Sequence, residues 1–203
     1  MKQEIKKGQF LTKAQLYRLV SDKATSLGFN LLASNYRINA LELAHEICLD
    51  LQIDIIDFNE PKICGILYRG RNNTTIGLNA RRSATGKNFD CMHELIHYMF
   101  HEKDYYMCRS DAEDHMEWQA NEGAAQFLVP YQSFIPNYCR LHDRFYMQTK
   151  PERAYQALIL HLSQQYAVGE LVIQYRLNQL SSEIVQYLDG VAVEDIEIIS
   201  KQK

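Results

Sequence analysis

The sequence predicts an α+β fold in which helices dominate, and three observations lead to this prediction. Two short β-type runs flank turn residues in the first half of the chain, and most of the rest carries apolar residues at helical spacing. With 203 residues, 46% of them hydrophobic and 23% charged, the chain is long enough for one hydrophobic core. Because no repeat, low-complexity tract or linker-like stretch interrupts it, we expect a single domain over residues 1–203.

The N-terminal part, residues 1–60, is predicted to be helical. Apolar residues recur at helical spacing from about Thr12 to Gly28, where the glycine ends the helix. A second helix is predicted from Asn39 to Leu51, just before the apolar stretch IDIIDF.

The central part, residues 61–130, begins with two β-type runs, Ile63 to Arg69 and Thr74 to Asn79. The Gly-Arg-Asn-Asn sequence between them is typical of a tight turn, so the two runs predict a hairpin. The second strand has two interpretations. It is either an exposed edge strand to which a substrate peptide adds in extended form, or a paired hairpin strand without a role in substrate binding.

Two helices are predicted after the hairpin. The first runs from about Gly86 to His101, and the second from about Asp111 to Val129, where Pro130 ends it. Together with the strands, these helices complete the central part of the predicted domain.

The C-terminal part, residues 131–203, is predicted to be a helical segment that follows a loop rich in tyrosine and phenylalanine. Its two helices cover about Pro151–Tyr166 and Gly169–Leu180, whereas residues 181–203 do not indicate one type of element. The short turn between the two helices resembles a helix-turn-helix, but two antiparallel helices packed on the core is the favoured interpretation. The second helix has Arg176 as its only basic residue, which is little for binding phosphates.

Composition excludes several classes of function. A formal net charge of −3 provides no overall basic field, which argues against direct nucleic-acid binding. No apolar run approaches the roughly 18–20 residues of a membrane helix, and the start MKQEIKKGQF is not that of a signal peptide. The five cysteines are scattered and odd in number, so we expect no disulfide framework and a cytoplasmic location. The sequence carries no indication of an oligomeric state.

The residues that indicate a reaction are His93-Glu94-Leu95-Ile96-His97, an HExxH sequence within a predicted helix. Two histidines four residues apart project from one helix face and can hold one metal ion, while Glu94 is placed to act on a water at that ion. The same sequence also occurs by chance on exposed helix faces. The motif by itself therefore leaves both interpretations open.

A catalytic zinc site needs three protein ligands and one open position. The extended pattern HExxHxxGxxH is absent, so the third ligand is expected on a later helix, where Glu117 shares a face with small and apolar residues. Asn121, one turn further, is suited to orient a ligand histidine. Glu113 is a weaker candidate on the same face. The alternative is that Glu117 pairs with an arginine and that Asn121 caps a loop.

The stretch from Ile63 to Pro130 resembles the ImmA/IrrE metallopeptidases. The resemblance rests on the HExxH sequence, on the strand TTIGLN before it, and on Glu117-Trp118-Gln119-Ala120-Asn121 followed by Ala124-Ala125 and Leu128-Val129-Pro130. Glu122-Gly123 departs from the family pattern, and the resemblance is weaker in the N-terminal helices and the C-terminal tail.

This resemblance implies a zinc-dependent endopeptidase with a gluzincin-like core and a small antiparallel sheet. His93, His97 and Glu117 would then bind Zn²⁺, and Glu94 would be the catalytic base. Members of the family cleave, or promote the loss of, a helix-turn-helix repressor and so release genes of mobile elements or of a stress response. The implied partner is therefore a protein substrate, such as a repressor of this class.

Other roles stay open at this point. The main alternative is a non-catalytic, metal-stabilised module that binds a repressor, and Glu94 favours the enzyme because a purely structural zinc does not need it. A DNA-binding regulator is a weaker possibility that rests on the C-terminal helices alone. His101 is expected either in solvent or behind a ligand, and Cys91 is expected to pack or to sense oxidation. Six residues are candidates for stabilising an oxyanion: Tyr105, Tyr106, Tyr131, Tyr138, His115 and His142.

Overall fold

A computed structural model describes residues 10–60, 62–103, 105–109, 114–148 and 150–199. Within these residues the chain forms eight α-helices, four strands and one 3₁₀ turn, which confirms the α+β fold dominated by helices. The helices are α1 (Lys13–Ser26), α2 (Ala40–Ile47), α3 (Ala84–Phe100), α4 (His115–Leu128), α5 (Tyr131–Gln148), α6 (Pro151–Tyr166), α7 (Glu170–Gln179) and α8 (Ser181–Leu188). The strands are β1 (Leu51–Ile56), β2 (Ile63–Arg69), β3 (Thr74–Asn79) and β4 (Tyr105–Arg109).

The contacts of the chain divide it into two compact units. Among the described residues, the first contains residues 10–11 and 39–124, and the second contains residues 12–38 and 125–199. The four strands and helices α2 and α3 lie in the first unit, and α1 and α5–α8 lie in the second. This division does not decide whether the chain is one domain, so the single-domain assignment stays a prediction. Among the described helices, none has the length and apolar character required to span a membrane.

The sheet of the first unit has the strand order β1-β3-β2-β4. Strands β2 and β3 pair antiparallel, which confirms the predicted hairpin. Strand β1 pairs parallel with β3, so the sheet is mixed and not wholly antiparallel as expected. Because β3 lies between β1 and β2, its backbone groups are used on both sides. The interpretation of Thr74–Asn79 as an exposed edge strand is therefore wrong.

Strands β1 and β4 were not predicted, and β1 lies in the part of the chain expected to be helical. Leu51 pairs with Thr74, which explains why α2 ends at Ile47 and does not continue to Leu51. Strand β4 has only five residues between two helices and gains its pairing from β2. Both strands depend on partners that are distant in the sequence, and local periodicity over five or six residues does not reveal such partners.

Helix α3, which carries the HExxH sequence, is anchored at its start by polar side chains. The Ser83 hydroxyl accepts a hydrogen bond from the Gly86 N–H (3.1 Å) and so caps the helix. One turn later, the Asn88 side chain accepts the N–H of Ala40 (2.7 Å), which ties the first turn of α2 to α3. Met92, Leu95 and Ile96 in the middle of α3 are fully buried. These contacts fix both the position and the rotation of the helix.

The second unit corrects the prediction for residues 131–150. Instead of a loop, Tyr131–Gln148 forms α5, with Pro136 inside it. The aromatic residues of this stretch lie partly at helical spacing: Phe134 is buried and its ring contacts Tyr166 of α6. Residues 181–188, whose type was left open, form α8.

Arg176 of α7 is fully buried in the second unit. Its guanidinium donates hydrogen bonds to the Val129 carbonyl (3.1 Å), to the Gln126 side chain (2.9 Å) and to the Tyr17 hydroxyl. The only basic residue of α7 is therefore used inside the protein and does not face solvent, where a phosphate would have to bind. This observation weakens the DNA-binding interpretation of the C-terminal helices.

Candidate metal centre

The two histidines of the HExxH sequence lie one turn apart on α3, and both are fully buried. Their spacing places both imidazoles on one helix face. The Nε2 atoms of His93 and His97 are 3.0 Å apart. The burial of both histidines excludes the alternative that this motif lies on an exposed helix face.

Glu117 of α4 meets both histidines. Its Oε2 lies 3.2 Å from Nε2 of His93, and its Oε1 lies 3.3 Å from Nε2 of His97. Asp114 helps to place Glu117, because its carboxylate accepts the N–H of Glu117 (2.8 Å) at the start of α4. The predicted ligand set therefore converges in space, although its binding of a metal stays a prediction. Glu113, the weaker candidate, lies outside the described residues.

A glycine allows α4 to approach α3 closely. A Cβ at Gly123 would lie 3.0 Å from Cγ2 of Ile96, which is closer than most side-chain contacts. The departure from the family pattern at this position thus has a packing role: a larger residue would separate α4, with Glu117, from α3. Gln119 and Glu122 of α4 are also fully buried.

The Nδ1 atom of His93 hydrogen-bonds Oδ1 of Asn121 (3.0 Å). An amide oxygen can only accept, so this partner assigns the proton of His93 to Nδ1 and leaves the Nε2 lone pair directed at the centre of the cluster. The expectation that Asn121 orients a ligand histidine agrees with this geometry, and the role itself stays a prediction.

A second chain of hydrogen bonds lies behind His97. Its Nδ1 is 2.7 Å from Nδ1 of His101, whose Nε2 is 3.3 Å from Oε1 of Gln119. The Gln119 oxygen accepts a hydrogen bond from Nε2–H of His101. Nδ1 of His101 therefore carries no proton and can accept a hydrogen bond from Nδ1–H of His97. The lone pair of His97 Nε2 then points into the cluster, like that of His93. Gln119 also hydrogen-bonds Nε2 of His115, which extends the chain by one residue.

Burial governs the protonation of these groups. It lowers the pKa of His97 to about 4, which keeps this imidazole neutral at pH 7. Burial by itself would raise the pKa of Glu117, but the adjacent His93 and His97 outweigh it and lower the pKa to about 2. Glu117 is therefore ionised at neutral pH. A neutral imidazole and a carboxylate are the forms in which these side chains bind metals.

Glu94 is fully buried, and neither of its carboxylate oxygens has a hydrogen-bond partner among the described residues. Burial, followed by the nearby Glu117 and Asp90, raises the pKa of Glu94 well above 4.5. One of its oxygens lies within 4.8 Å of a ring nitrogen of His93. An unpartnered buried carboxylate is costly, and such a cost is typical of functional sites.

The donor set fits a divalent cation such as zinc. Nitrogen and oxygen atoms of His93, His97 and Glu117 lie within 4.8 Å of one another. A divalent cation between these donors would accept both nitrogen lone pairs and neutralise the buried carboxylate. Two histidines and one glutamate are also a common ligand set of catalytic zinc.

Of the six oxyanion candidates, Tyr106 of β4 contacts a predicted ligand directly. Its ring stacks on that of His97 at 4.1 Å, and its hydroxyl accepts the N–H of Lys103 (3.1 Å). Tyr105, its neighbour on the strand, is 48% exposed, and His115 is stacked on Phe10. The remaining three, Tyr131, Tyr138 and His142, belong to the second compact unit.

Several residues at the site were not found from the sequence. Arg69 of β2 donates hydrogen bonds to carbonyls at the end of α3, those of His97 (3.0 Å) and Tyr98 (2.8 Å), and to the His101 carbonyl (3.0 Å). Cys108 of β4 lies near His93 and Glu94. No local sequence signal indicates these contacts, because they join β2 and β4 to helix α3, and these elements are distant from one another along the chain. Cys91, a candidate oxidation sensor, is fully buried, and burial raises its pKa to about 12, which disfavours the reactive thiolate.

Comparison with known proteins agrees with this site. A search of curated proteins gives no match to the chain. A family model, in contrast, matches residues 48–178, which include α3, α4 and the whole stretch from Ile63 to Pro130. This match covers more than half of the chain and confirms the resemblance noted in the sequence. The chain therefore belongs to the Peptidase_M78 family, described as the IrrE N-terminal-like domain.

Proposed function

We propose that this protein is a zinc-dependent endopeptidase in which His93, His97 and Glu117 bind the metal and Glu94 is the general base. Membership of a peptidase family supports a peptidase-type function. The observation that carries the finer proposal is the convergence of the three candidate ligands beside an unpartnered carboxylate, that of Glu94.

The residues of the site have separate roles in the proposed peptide hydrolysis. A divalent ion held by the three side chains would supply Lewis-acid polarisation of a peptide carbonyl and a lowered pKa for a water. Glu94 accepts the proton of the attacking water at a carboxylate oxygen and then donates it to the leaving amine. Its raised pKa favours this acceptance near neutral pH. Asn121 and His101 hold the two imidazoles with their Nε2 lone pairs inward.

For the substrate, we propose a cytoplasmic helix-turn-helix repressor whose cleavage releases genes of mobile elements or of a stress response. The support is the family resemblance of the sequence from Ile63 to Pro130. A non-catalytic, metal-stabilised module that binds such a repressor is the alternative. The position of Glu94 favours the enzyme, because a module that only binds gains nothing from a buried, unpartnered carboxylate.

Elemental analysis of the purified protein tests the metal site. We expect about one zinc per chain in the wild type and its loss in His97→Ala and Glu117→Gln. The matched controls His45→Ala and Glu46→Gln change exposed residues of α2 and should retain zinc. The proposed zinc centre would be contradicted if Glu117→Gln retained zinc. It would also be contradicted if the wild type contained another metal instead of zinc.

Cleavage assays separate the enzyme from the binding module. Casein and purified helix-turn-helix repressors are incubated with wild type and Glu94→Gln, and the products are identified by mass spectrometry. We expect cleavage by the wild type and at least a hundredfold lower rate for Glu94→Gln, in line with loss of general-base catalysis, while its zinc content is unchanged. Equal activity of the two proteins would exclude Glu94 as the base. Repressor binding without cleavage would favour the module.

A further inference from the structure

A β-bulge in β2 places two cysteines opposite each other. The strand pairing passes from Ile63 with Arg109 to Gly65 with Cys108, so β2 advances by two residues while β4 advances by one. Cys64 and Gly65 therefore both lie opposite Cys108. Both side chains are buried and reduced, and the adjacent Cys108 thiol lowers the pKa of Cys64.

This thiol pair lies against the candidate base. The Cys108 sulfur is within 4.8 Å of a ring nitrogen of His93 and a carboxylate oxygen of Glu94. On the other strand, a Cβ built at Gly65 would lie 2.8 Å from Oε1 of Glu94. The backbone of the bulge and the Cys108 side chain thus both contact the region of the Glu94 carboxylate. Movement of the bulge would displace Glu94.

We propose that Cys64 and Cys108 form a redox-active dithiol that a peroxide oxidises to a disulfide, and that this disulfide displaces Glu94. Facing residues of antiparallel strands have Cα atoms about 4.5–5.5 Å apart. Disulfides span Cα separations of about 4.4–6.8 Å. Cys64 is the extra residue of the bulge, next to Gly65 that pairs with Cys108, so a disulfide requires the bulge to close to this separation. The loss of peptidase activity that follows from the displacement rests on the proposed function, whereas disulfide formation does not.

The oxidation needs hydrogen peroxide and no other reactant. One thiolate attacks a peroxide oxygen, the O–O bond breaks, and a sulfenic acid forms with release of water after protonation. The second thiol then attacks the sulfenic sulfur and loses its proton, the S–S bond forms and a second water leaves. Two thiols lose two electrons and the peroxide gains them. A dithiol reductant reverses the change by thiol–disulfide exchange.

Closing the disulfide shortens the distance between the sulfurs to about 2.05 Å. Because Cys64 is the extra residue of the bulge, β2 can yield there with little loss of pairing elsewhere. Gly65 follows directly and moves with it. A displacement of about 1 Å at a catalytic group can lower a rate about a hundredfold, so we expect a tenfold to hundredfold loss of activity.

The test is disulfide mapping of the full-length, zinc-loaded protein after brief treatment with hydrogen peroxide. Free thiols are alkylated, the protein is digested without reductant, and linked peptides are identified by mass spectrometry. We expect a Cys64–Cys108 link in the wild type and in Cys139→Ser, a control in the second unit. Cys64→Ser should abolish the link and make cleavage activity resistant to peroxide. Dithiothreitol should restore the activity of the oxidised wild type.

Two outcomes would overturn the proposal. If both thiols remain alkylatable in the wild type, or link to other cysteines, the dithiol is excluded. If the Cys64–Cys108 link forms while the cleavage rate is unchanged, its coupling to Glu94 is excluded. A protein that cleaves nothing even when reduced would instead contradict the proposed function, and the mapping would still decide whether the dithiol forms.

Discussion

At the scale of single residues, each of the two candidate histidine ligands is hydrogen-bonded through its Nδ1 atom to a side chain that is not itself a candidate ligand. Asn121 holds Nδ1 of His93 at 3.0 Å, and His101 holds Nδ1 of His97 at 2.7 Å. Each contact fixes one tautomer and one ring orientation, so that each Nε2 can bind a metal without reorganisation. The two outer partners are therefore expected to contribute to zinc affinity although neither is a ligand.

We predict that His101→Ala and Asn121→Ala each lower zinc affinity about 10–100-fold. Competition with a chromogenic chelator measures this affinity directly and does not require a substrate. His45→Ala, which removes an exposed histidine, is the matched control and should leave the affinity unchanged. An unchanged zinc affinity in both outer variants would mean that the hydrogen bonds do not organise the ligands.

The buried carboxyl of Glu94 makes the stability of the metal-free protein depend on pH. Its pKa is raised above 4.5 by burial and by the neighbouring Glu117 and Asp90, so the folded chain binds its proton more tightly than the unfolded chain. The free energy of unfolding therefore falls as the pH rises above about 4.5. Glu117 has the opposite effect: its lowered pKa gives stability that is lost as the pH falls from 4.5 towards 2.

We predict that Glu94→Gln stabilises the metal-free protein by about 1–3 kcal/mol at pH 7, because glutamine has no charge to bury. The gain over the wild type should be small at pH 4.5 and grow with pH by at most about 1.4 kcal/mol per unit. Urea unfolding of chelator-treated proteins at several pH values measures this difference. Because Glu117 and His97 are present in both proteins, the difference reports the Glu94 carboxylate together with its repulsion from Glu117. A destabilised variant at pH 7 would show that the carboxylate has a stabilising partner.

At the scale of elements, α3 is held at both ends by polar contacts from the first unit. Its start is capped by Ser83, and the carbonyls at its end receive hydrogen bonds from Arg69 of β2. Carbonyls at a helix end have no partner within the helix, so a guanidinium with several donors is suited to satisfy them. The Arg69 side chain thus links the C-terminal end of α3 to strand β2 of the sheet.

We predict that Arg69→Met lowers the free energy of unfolding by about 1–3 kcal/mol, because it removes the guanidinium donor from the partly buried carbonyls of Tyr98 and His101. Methionine retains the apolar stem and removes only the guanidinium. Thermal and urea unfolding of the zinc-free protein measure the effect. Arg71→Met, two residues further in the exposed turn, is the control and should change stability little. Equal effects of the two substitutions would argue against a role for Arg69 at the helix end.

At the scale of the whole molecule, bound zinc should stabilise the folded chain, because its three candidate ligands converge only after folding. Their sequence positions differ by up to 24 residues, and they lie on two helices. An ion that binds the folded state at 100 times its dissociation constant stabilises it by about 2.7 kcal/mol. Zinc binding and folding are therefore linked.

We predict that zinc raises the melting temperature of the wild type by several degrees, and that a chelator reverses the shift. Differential scanning calorimetry at fixed protein concentration checks this expectation. Glu117→Gln should show a much smaller shift at the same zinc concentration, whereas Glu46→Gln should behave like the wild type. A shift of wild-type size in Glu117→Gln would place the stabilising ion elsewhere.

The sequence by itself determined the elements with long periodic patterns and the hairpin. Helices α1, α3, α4, α6 and α7 and strands β2 and β3 lie close to their predicted bounds, because their periodicity and end signals are local. His93, Glu94 and His97 were also predicted as site residues from local sequence, since two histidines four residues apart must share a helix face. Glu117 and Asn121 were found from helix periodicity and family resemblance.

Only the tertiary structure decided features that depend on distant partners. Strand β1 exists because it pairs with β3, and this pairing places β3 inside the sheet instead of at its edge. Helix α5 forms where a loop was expected, with Phe134 against Tyr166. The position of Cys64 opposite Cys108 follows from a one-residue bulge in the pairing of β2 with β4. A sequence read locally contains periodicity but not strand pairing or register, because these are set by long-range packing free energy.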